Sequence, residues 1–598
     1  MTPSAHPPRP ELTLSVGITG HRPPILNADA EKLLLPQLKT LFQILGTSTK
    51  GLRDRHPGIF AEKPAVPRLV SPLAAGADQV AAEAALAAGY TLQVLLPLPE
   101  GEYRKDFSGE ELERFEALLG QAERVFELPL QPHDRDEGYE LVGRATVAHC
   151  DILMAIWDGE RARGAGGTAD IVALALRRGI PVLHLPVDGK HTPRILWTGY
   201  GDFIDAMDMD SIPSRVADKE TLAELIDELI GPPQMPGEAA NLANFLAEPE
   251  RLVRPRLEYP LLLAAMGVKR LRRSAVMAAP YEEATRSEWQ SFHDAFADGS
   301  HGVSASLDNI ELSFAWADRL AQHFAQSYRS GHVLNFILAA AAVLIALSGL
   351  LFPRLEFWAA LAEATAISGF VANTLIGTRL QWHRRWLEYR QLAERIRPMR
   401  SLKLLGVAAP PGSSLNKVRE GRWVDWYAAA QWRAVGCPSG RLADTDALTQ
   451  TIIAEEIKPQ LDYHHASAHQ LQHLDHRLHR IGMLLLIASI MGCVSSVTAN
   501  IFAHDFAQAH AHIFVAFSAG FPAMGASLFG IRMQGDFGAS AERSLITADN
   551  LSRITNALSR RNIGLGRQTD LAEAAAGTML AELDDWHHSY SQRRLELP

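Results

Sequence analysis

The spacing of apolar residues divides the chain into two kinds of sequence. Up to about residue 190, short continuous apolar runs alternate with longer mixed segments. The runs include LSVGIT (14–19), TLQVLLPLP (91–99), DILMAIWDG (151–159) and IPVLHLP (180–186). Such runs suit strands buried on both faces, as in a parallel sheet. The stretch PRLVSPLAAGADQVAAEAALAAG (67–89) reads as a strand, a small-residue turn and an Ala-rich helix ending at Gly89. The alternation predicts an α/β, doubly wound, Rossmann-like domain over residues 10–190. Right-handed crossovers then bring the C-terminal ends of its strands to one edge.

Further on the pattern changes. Residues 330–353, 481–504 and 506–531 contain no Asp, Glu, Lys or Arg over 24, 24 and 26 positions. Residues 357–378 contain one carboxylate, Glu363, the candidate pore residue. About 20 apolar residues cross the hydrocarbon core of a bilayer as a helix. The four stretches predict an all-α membrane region with four transmembrane helices in two hairpins. Their bounds are about 331–353, 357–378, 481–503 and 510–531. Basic residues flank the open ends of both hairpins: Arg319, Arg329, Arg379, Arg384, Arg385, Arg477, Arg480 and Arg532. The two turns hold Arg354 alone. By the positive-inside rule both termini are cytoplasmic in a multi-pass protein.

The hairpins also repeat. Their first spans start near His332 and Gly482, 150 residues apart. Each follows a polar amphipathic helix and precedes another, and each unit ends in a tryptophan-bearing segment (GRWVDWYAAAQWRAV; AELDDWHHSYSQRR). The expected organisation is a ligand domain at 10–190, a linker and helical region at 191–310, and two-span units at 311–440 and 441–598. Residues 191–310 carry no motif; RLVRPRLEYPLLLAAMGVKRLRR suits either a membrane surface or a packed helix.

Composition narrows the field. The 598 residues carry a net charge of −10, which argues against nucleic acid as a partner. Cys150, Cys437 and Cys493 are far apart, which fits a reducing compartment and leaves no zinc motif. The N-terminus has neither the basic start nor the apolar run of a signal peptide. His465, His469, His473, His476 and His479 recur at helical spacing between 464 and 479. They suit a solvated or inter-subunit face, or a pH or metal switch with Asp475.

Candidate chemistry gathers at the strand ends. Gly17, Thr19, Gly20, His21 and Arg22 surround the end of the first strand. Ser71, Ala75, Gly76 and Asp78 follow the second, and Tyr103 and Asp106 the third. Asp158 follows the fourth; Gly164, Gly166, Gly167 and Thr168 open the next helix. Glycines admit close backbone approach, helix N-termini favour phosphate, and Arg22 can bind it through two N–H groups. GAGGTA (164–169) matches G-x-G-x-x-A, but after a late strand and without an acidic residue about 20 positions on. No G-x-x-x-x-G-K-[ST] occurs, which excludes a P-loop ATPase.

Two resemblances follow. GITGHRP, SPLAAGADQVAAEAAL, VLLPLPEGEYRKDF, ILMAIWDG and GAGGTADIV resemble the SLOG superfamily of Rossmann-like, nucleotide-sensing domains. The two-hairpin layout and RWLEYRQLAERIR resemble the two-span SLATT domains of bacterial conflict systems. Similar architectures occur in antiphage membrane effectors and at the cytoplasmic N-terminus of melastatin-type cation channels. SLOG enzymes that cleave N-glycosidic bonds carry P-G-G-x-G-T-x-x-E; here the Glu position falls on Ile171. Asp170 is one residue early, a rotation of about 100° on a helix.

The resemblances imply a homo-oligomeric channel or pore of the bacterial inner membrane, in contact with lipid and used in antiphage defence. A nucleotide-derived ligand, ADP-ribose-like or cyclic, would open it; no covalent cofactor is implied. Two other readings stay open: a membrane-tethered nucleotide or NAD hydrolase using Asp78, Asp158 or Asp170, and a scaffold with a vestigial site.

Overall fold

The computed structural model describes residues 5–130, 134–161, 166–196, 212–296, 301–410, 422–560 and 563–591, without the side chains of 582–591. Six parallel strands form the centre of its sheet: β1 (Thr13–Gly20), β2 (Val66–Ser71), β3 (Thr91–Leu96), β4 (Arg124–Glu127), β5 (Ile152–Trp157) and β6 (Val182–Pro186). Their order is β6-β5-β1-β2-β3-β4, so strand order reverses direction at β1. All six residues of β5 are buried, as its unbroken apolar run requires. β7 (Arg194–Leu196) and β8 (Ser214–Val216) extend one edge antiparallel.

The other edge is completed by distant sequence. β9 (Val303–Ser304) lies just before the first spanning helix, and β10 (Ser439–Arg441) follows the first hairpin unit. β10 pairs in parallel with β4, Gly440 opposite Phe126 and Arg441 opposite Glu127. β9 pairs antiparallel with β10. Among the described residues the sheet therefore runs to ten strands.

Helices α1 (Ala28–Arg55), α2 (Ala77–Ala87), α3 (Arg135–Ala148) and α4 (Thr168–Arg177) link strands of the sheet. The first spanning helix, α5 (Asp308–Leu351), has 44 residues and is about 65 Å long. Its first half is buried through Ile310, Phe314, Trp316, Leu320 and Phe324. Its second half exposes Ile337, Val343, Leu344 and Leu350. α6 (Glu356–Arg379) returns along that second half, and α7 (Trp382–Ile396) packs back along the first. The second unit repeats this. α8 (Trp423–Val435) stands between the units. α9 (Lys458–Phe502) is flanked by α10 (Ala511–Gly535) and α11 (Phe537–Leu558), and α12 (Leu565–Ser591) closes the chain.

Among the described residues four helical segments are long and apolar enough to cross a membrane: Asp308–Leu351, Pro353–Arg379, Thr445–Phe502 and Ala511–Leu558. Their exposed Leu, Ile, Val, Phe and Met side chains would be costly in water and suit lipid. The repeat shows in the backbone as well. Gln381, between α6 and α7, and Asp536, between α10 and α11, have φ of +52° and +47°. This left-handed conformation is uncommon for a residue with a Cβ. Both units thus turn out of their second span by the same local break.

The hairpins pack through α5 and α10. A Cβ on Gly530 would lie 2.2 Å from the Phe336 ring, and one on Gly520 3.3 Å from Leu344. Ser527 Oγ donates to the Phe336 carbonyl at 2.7 Å. These contacts pair the base of one helix with the end of the other, so both turns lie at the same end. Within the first hairpin, Asn335 Nδ2 donates to Thr374 Oγ1 at 2.9 Å and Asn373 Nδ2 to Asn335 Oδ1 at 2.6 Å.

The sheet is joined to the helices by a buried cluster of cations. The C-terminus of α8 points at β2 and β4. Arg68 donates to the Arg433 and Ala434 carbonyls at 2.6 and 3.2 Å. Arg124 donates to those of Val435 and Cys437 at 2.6 and 2.8 Å, and Lys403 to Gly436 at 2.9 Å. Lys403 also lies 3.7 Å over the Trp432 ring, and burial pushes its pKa well down. Arg433 pairs with Asp151 at 3.1 Å.

Two outcomes follow for the purified chain in detergent. Gly530→Val overpacks α5 against α10 and lowers stability by about 1–3 kcal/mol in thermal unfolding. Gly525→Val, with its nearest neighbour at 3.9 Å, has a smaller effect. Arg68→Met strands two buried carbonyls and costs about 1–3 kcal/mol for each, read as a lowered unfolding temperature.

Candidate functional site

β1 is the strand at which connections leave in both directions, and open α/β sheets bind ligands at that place. Its end carries Thr19, Gly20, His21 and Arg22. The glycines there are required by the chain itself. A Cβ on Gly20 would sit 2.5 Å from Ala77 Cβ and 2.7 Å from the Ile156 carbonyl. One on Gly17 would sit 2.9 Å from Cys150 Sγ, so Gly17 packs against α3. Gly76, with φ of +84°, would meet the His21 carbonyl at 2.9 Å. The close approaches predicted for a ligand are filled by neighbouring strands and helices at these positions.

The side chains around them form a polar floor. His21 N–H donates to Ile156 at 3.0 Å, its carbonyl accepts from Ala77 N–H at 3.2 Å, and its Nε2 lies 2.9 Å from Asp158 Oδ1. Asp158 also accepts the Glu160 N–H at 3.0 Å. Arg22 is exposed, with its guanidinium 4.7 Å over the Tyr139 ring. Desolvation works against the Arg22 charge, but Tyr103, Tyr139 and Asp78 together raise its pKa.

Asp78 stands in the first turn of α2, buried. Burial raises its pKa from 3.8 to about 7, against the pull of the Ala74 N–H, which it accepts at 3.2 Å, and of Arg22. Tyr103 is 1% exposed, packed edge-on to Phe107, Phe115 and Tyr139. Its hydroxyl is buried and makes no hydrogen bond among the described residues. A buried donor left unsatisfied is costly, and such groups occur where a ligand or water completes them. Asp106 accepts from Tyr139 and pairs with Arg135, both on α3.

The structure thus brings His21, Arg22, Gly76, Asp78, Tyr103 and Asp158 to one edge. Other expected residues do local work. Ser71 Oγ accepts the Leu73 N–H at 3.0 Å and holds the turn, where Leu73 has φ of +56°. Ala75 is half-buried against the core. Gly166 has φ of +72° and abuts Glu140 of α3; Gly167 caps α4, and Thr168 is half-buried in its first turn. Gly164 lies outside the described residues.

Ile171, at the position of the hydrolase Glu, is buried, with its Cδ1 2.2 Å from where a Cβ on Gly143 would stand. Asp170 faces away, into a cavity of about 530 Å³ shared with Arg144, Arg178 and Glu573. Arg135 and Tyr139 were missed by sequence reasoning. Their four-residue spacing on a mixed helix was the available signal.

The chain matches no protein-family model, no curated protein and no solved structure. The likenesses to SLOG and SLATT domains therefore rest on their motifs, within a fold of an α/β sheet and four apolar helices.

Two other expected sites are placed as follows. Glu363 is half-buried, seven residues or about 10 Å into α6, without a hydrogen bond or ion pair among the described residues. His465, His469, His473, His476 and His479 are exposed on α9. Asp475 faces Arg532 instead, which donates to it at 2.7 and 3.0 Å. Among the described residues no group of His, Cys, Asp and Glu is arranged to hold a metal.

Asp78 sets a pH dependence. Its folded pKa lies above its unfolded value, so its contribution is intact below about pH 4 and is lost as pH rises to about 7. Asp78→Asn removes this loss. Thermal unfolding at pH 5 and pH 8 should show the variant gaining on the parent at the higher pH; an unchanged difference contradicts the assignment.

Proposed function

We propose that the chain is a membrane effector gated by a nucleotide-derived signal bound at the β1 edge. The observation that carries this reading is the floor of that edge. A buried hydroxyl without a partner among the described residues, a carboxyl whose pKa burial raises to about 7 and an arginine on a tyrosine face stand together at the point of strand reversal. Arg22 suits a phosphate, and Tyr103 and Asp78 suit ribose hydroxyls or base edges. The N-terminus of α2 adds a favourable field for the anion.

The effector reading draws on how the sheet is continued. β9 and β10 tie it directly to the polypeptide that enters and leaves the first hairpin unit. A ligand that favours one arrangement of the sheet edge shifts the helices that continue into the spans. Four helices per chain make a narrow path, so the active form is a homo-oligomer, with Glu363 facing its shared interior. The basic open ends of the hairpins favour a cytoplasmic side for the sheet. By resemblance, the membrane is the bacterial inner membrane and the role is antiphage defence through depolarisation. Ile171 in place of a carboxylate supports a sensor over a hydrolase.

The test is thermal unfolding of the detergent-purified chain with ADP-ribose, cyclic ADP-ribose, NAD and cyclic dinucleotides. A ligand at about 100 times its Kd adds about 2.7 kcal/mol of stability. The stabilisation should be lost in Arg22→Ala and weakened in Thr168→Ala, and the same ligand should release ions from liposomes holding the parent chain. Released base from NAD or nucleoside monophosphates would instead favour a hydrolase. A null result with every nucleotide removes the sensor reading.

A further inference from the structure

The two units leave a gap between them where their helices emerge from the spans towards the sheet. It is a cavity of about 270 Å³. α5 and α7 of the first unit form one side, and α9, α10 and α11 of the second form the other. Towards the spans its wall is apolar, with Val333, Leu471, Ile531 and Phe537 in one cluster. Away from them it is polar, with Arg390, Glu394, Gln460 and Arg543. The lining carries three arginines against one glutamate.

The arginines are not equivalent. Arg390 pairs with Asp318 at 3.2 Å and with Glu394 at 2.5 Å, and Arg543 with Asp536 at 3.1 Å. Arg329 makes no ion pair among the described residues. Its guanidinium rests on the faces of Trp386 and Tyr259, at 4.9 and 5.5 Å from the ring centroids, and is exposed. Two aromatic faces fix its plane and leave its N–H donors directed elsewhere. It is the residue immediately before the charge-free stretch 330–353, at the level where a bilayer's phosphates would lie.

We propose that this cavity binds an anionic amphiphile, with a phosphate or phosphodiester on Arg329 and an apolar chain along Val333, Leu471 and Ile531. The volume is below the roughly 300–1,000 Å³ of sites for drug-sized ligands, and it suits a headgroup with the first part of one chain against that apolar wall. Hydroxyls of Ser540 and Ser544 from the second unit line the same space. Occupancy therefore bridges the two units at the base of their spans. The site is separate from the β1 edge and does not depend on what binds there.

The test uses the full chain in neutral detergent, titrated with dihexanoyl phosphatidylglycerol, dihexanoyl phosphatidylcholine, glycerol 3-phosphate and inorganic phosphate. Tryptophan fluorescence and thermal unfolding are the readouts, since Trp386 lines the cavity. Phosphatidylglycerol should bind, and Arg329→Gln should weaken it about tenfold, the scale of one charge-assisted hydrogen bond. Arg329→Lys should keep most of the affinity. Ser467→Phe should weaken binding by filling the cavity with all charges intact. Arg354→Gln, in the distant turn, should change nothing. Glycerol 3-phosphate or phosphate binding with the same dependence on Arg329 upholds the anion site and assigns it to a soluble phosphate. Equal responses to the two phospholipids, or undiminished phosphatidylglycerol binding by Arg329→Gln, overturn it.

Discussion

Five successive buried backbone carbonyls, Arg433 to Cys437, stand at and just beyond the end of α8, and the architecture depends on how they are satisfied. A buried helix C-terminus is also the negative end of a dipole, so cations suit it twice over. Arg68 and Arg124 come from the sheet, and Lys403 from the short helix after α7. The arrangement fixes α8 against β2 and β4 and thereby fixes where β10 meets the edge of β4. One carboxylate enters the same cluster: Asp151 pairs with Arg433 at 3.1 Å. Removing either sign would leave the other in a medium that cannot screen it.

From that junction the rest follows in order. β10 and β9 extend the sheet; β9 leads into α5, and α5 is continuous from the core to the tip of the first hairpin. Its buried half and its exposed half are one rigid element, so the spans inherit their direction from the sheet. Beyond Arg441 the second unit has no strand in the sheet among the described residues. It is held through α10 against α5 and through α12, whose Glu573 accepts from Arg144 at 3.1 Å and from the Ala409 N–H at 2.8 Å.

Much of this was readable from residue order, for physical reasons. An apolar run that is buried on both faces, as in β5, needs no context to be recognised, and neither does a span of 24 residues without charge. The edge strands were not readable. Val303–Ser304 and Ser439–Arg441 are two and three residues long and too short to show a period. Their pairing is decided by partners more than a hundred residues away. Arg68 interrupts an apolar strand and reads as a flaw until α8 is seen. At the candidate site, His21, Arg22, Asp78 and Tyr103 were found because turn chemistry is local. Gly17 and Gly20 were read as room for a ligand, whereas the space they open is taken by Cys150 and Ala77. Sequence shows that a side chain is missing; it does not show what fills its place.

The outer edge of β4 has a consequence for modularity. The α/β portion looks like a cassette that could be cut out and grafted onto an unrelated protein. Cut after the last parallel strand, it would present the bare backbone of β4 and a cationic seat made for α8. Unpaired edges of that kind recruit other chains. A working graft would need to carry the two segments that complete the sheet, and with them the roots of a membrane hairpin. Sheet and first hairpin thus form one part, whereas the second unit, which contributes no strand among the described residues beyond Arg441, is the portion that could be exchanged.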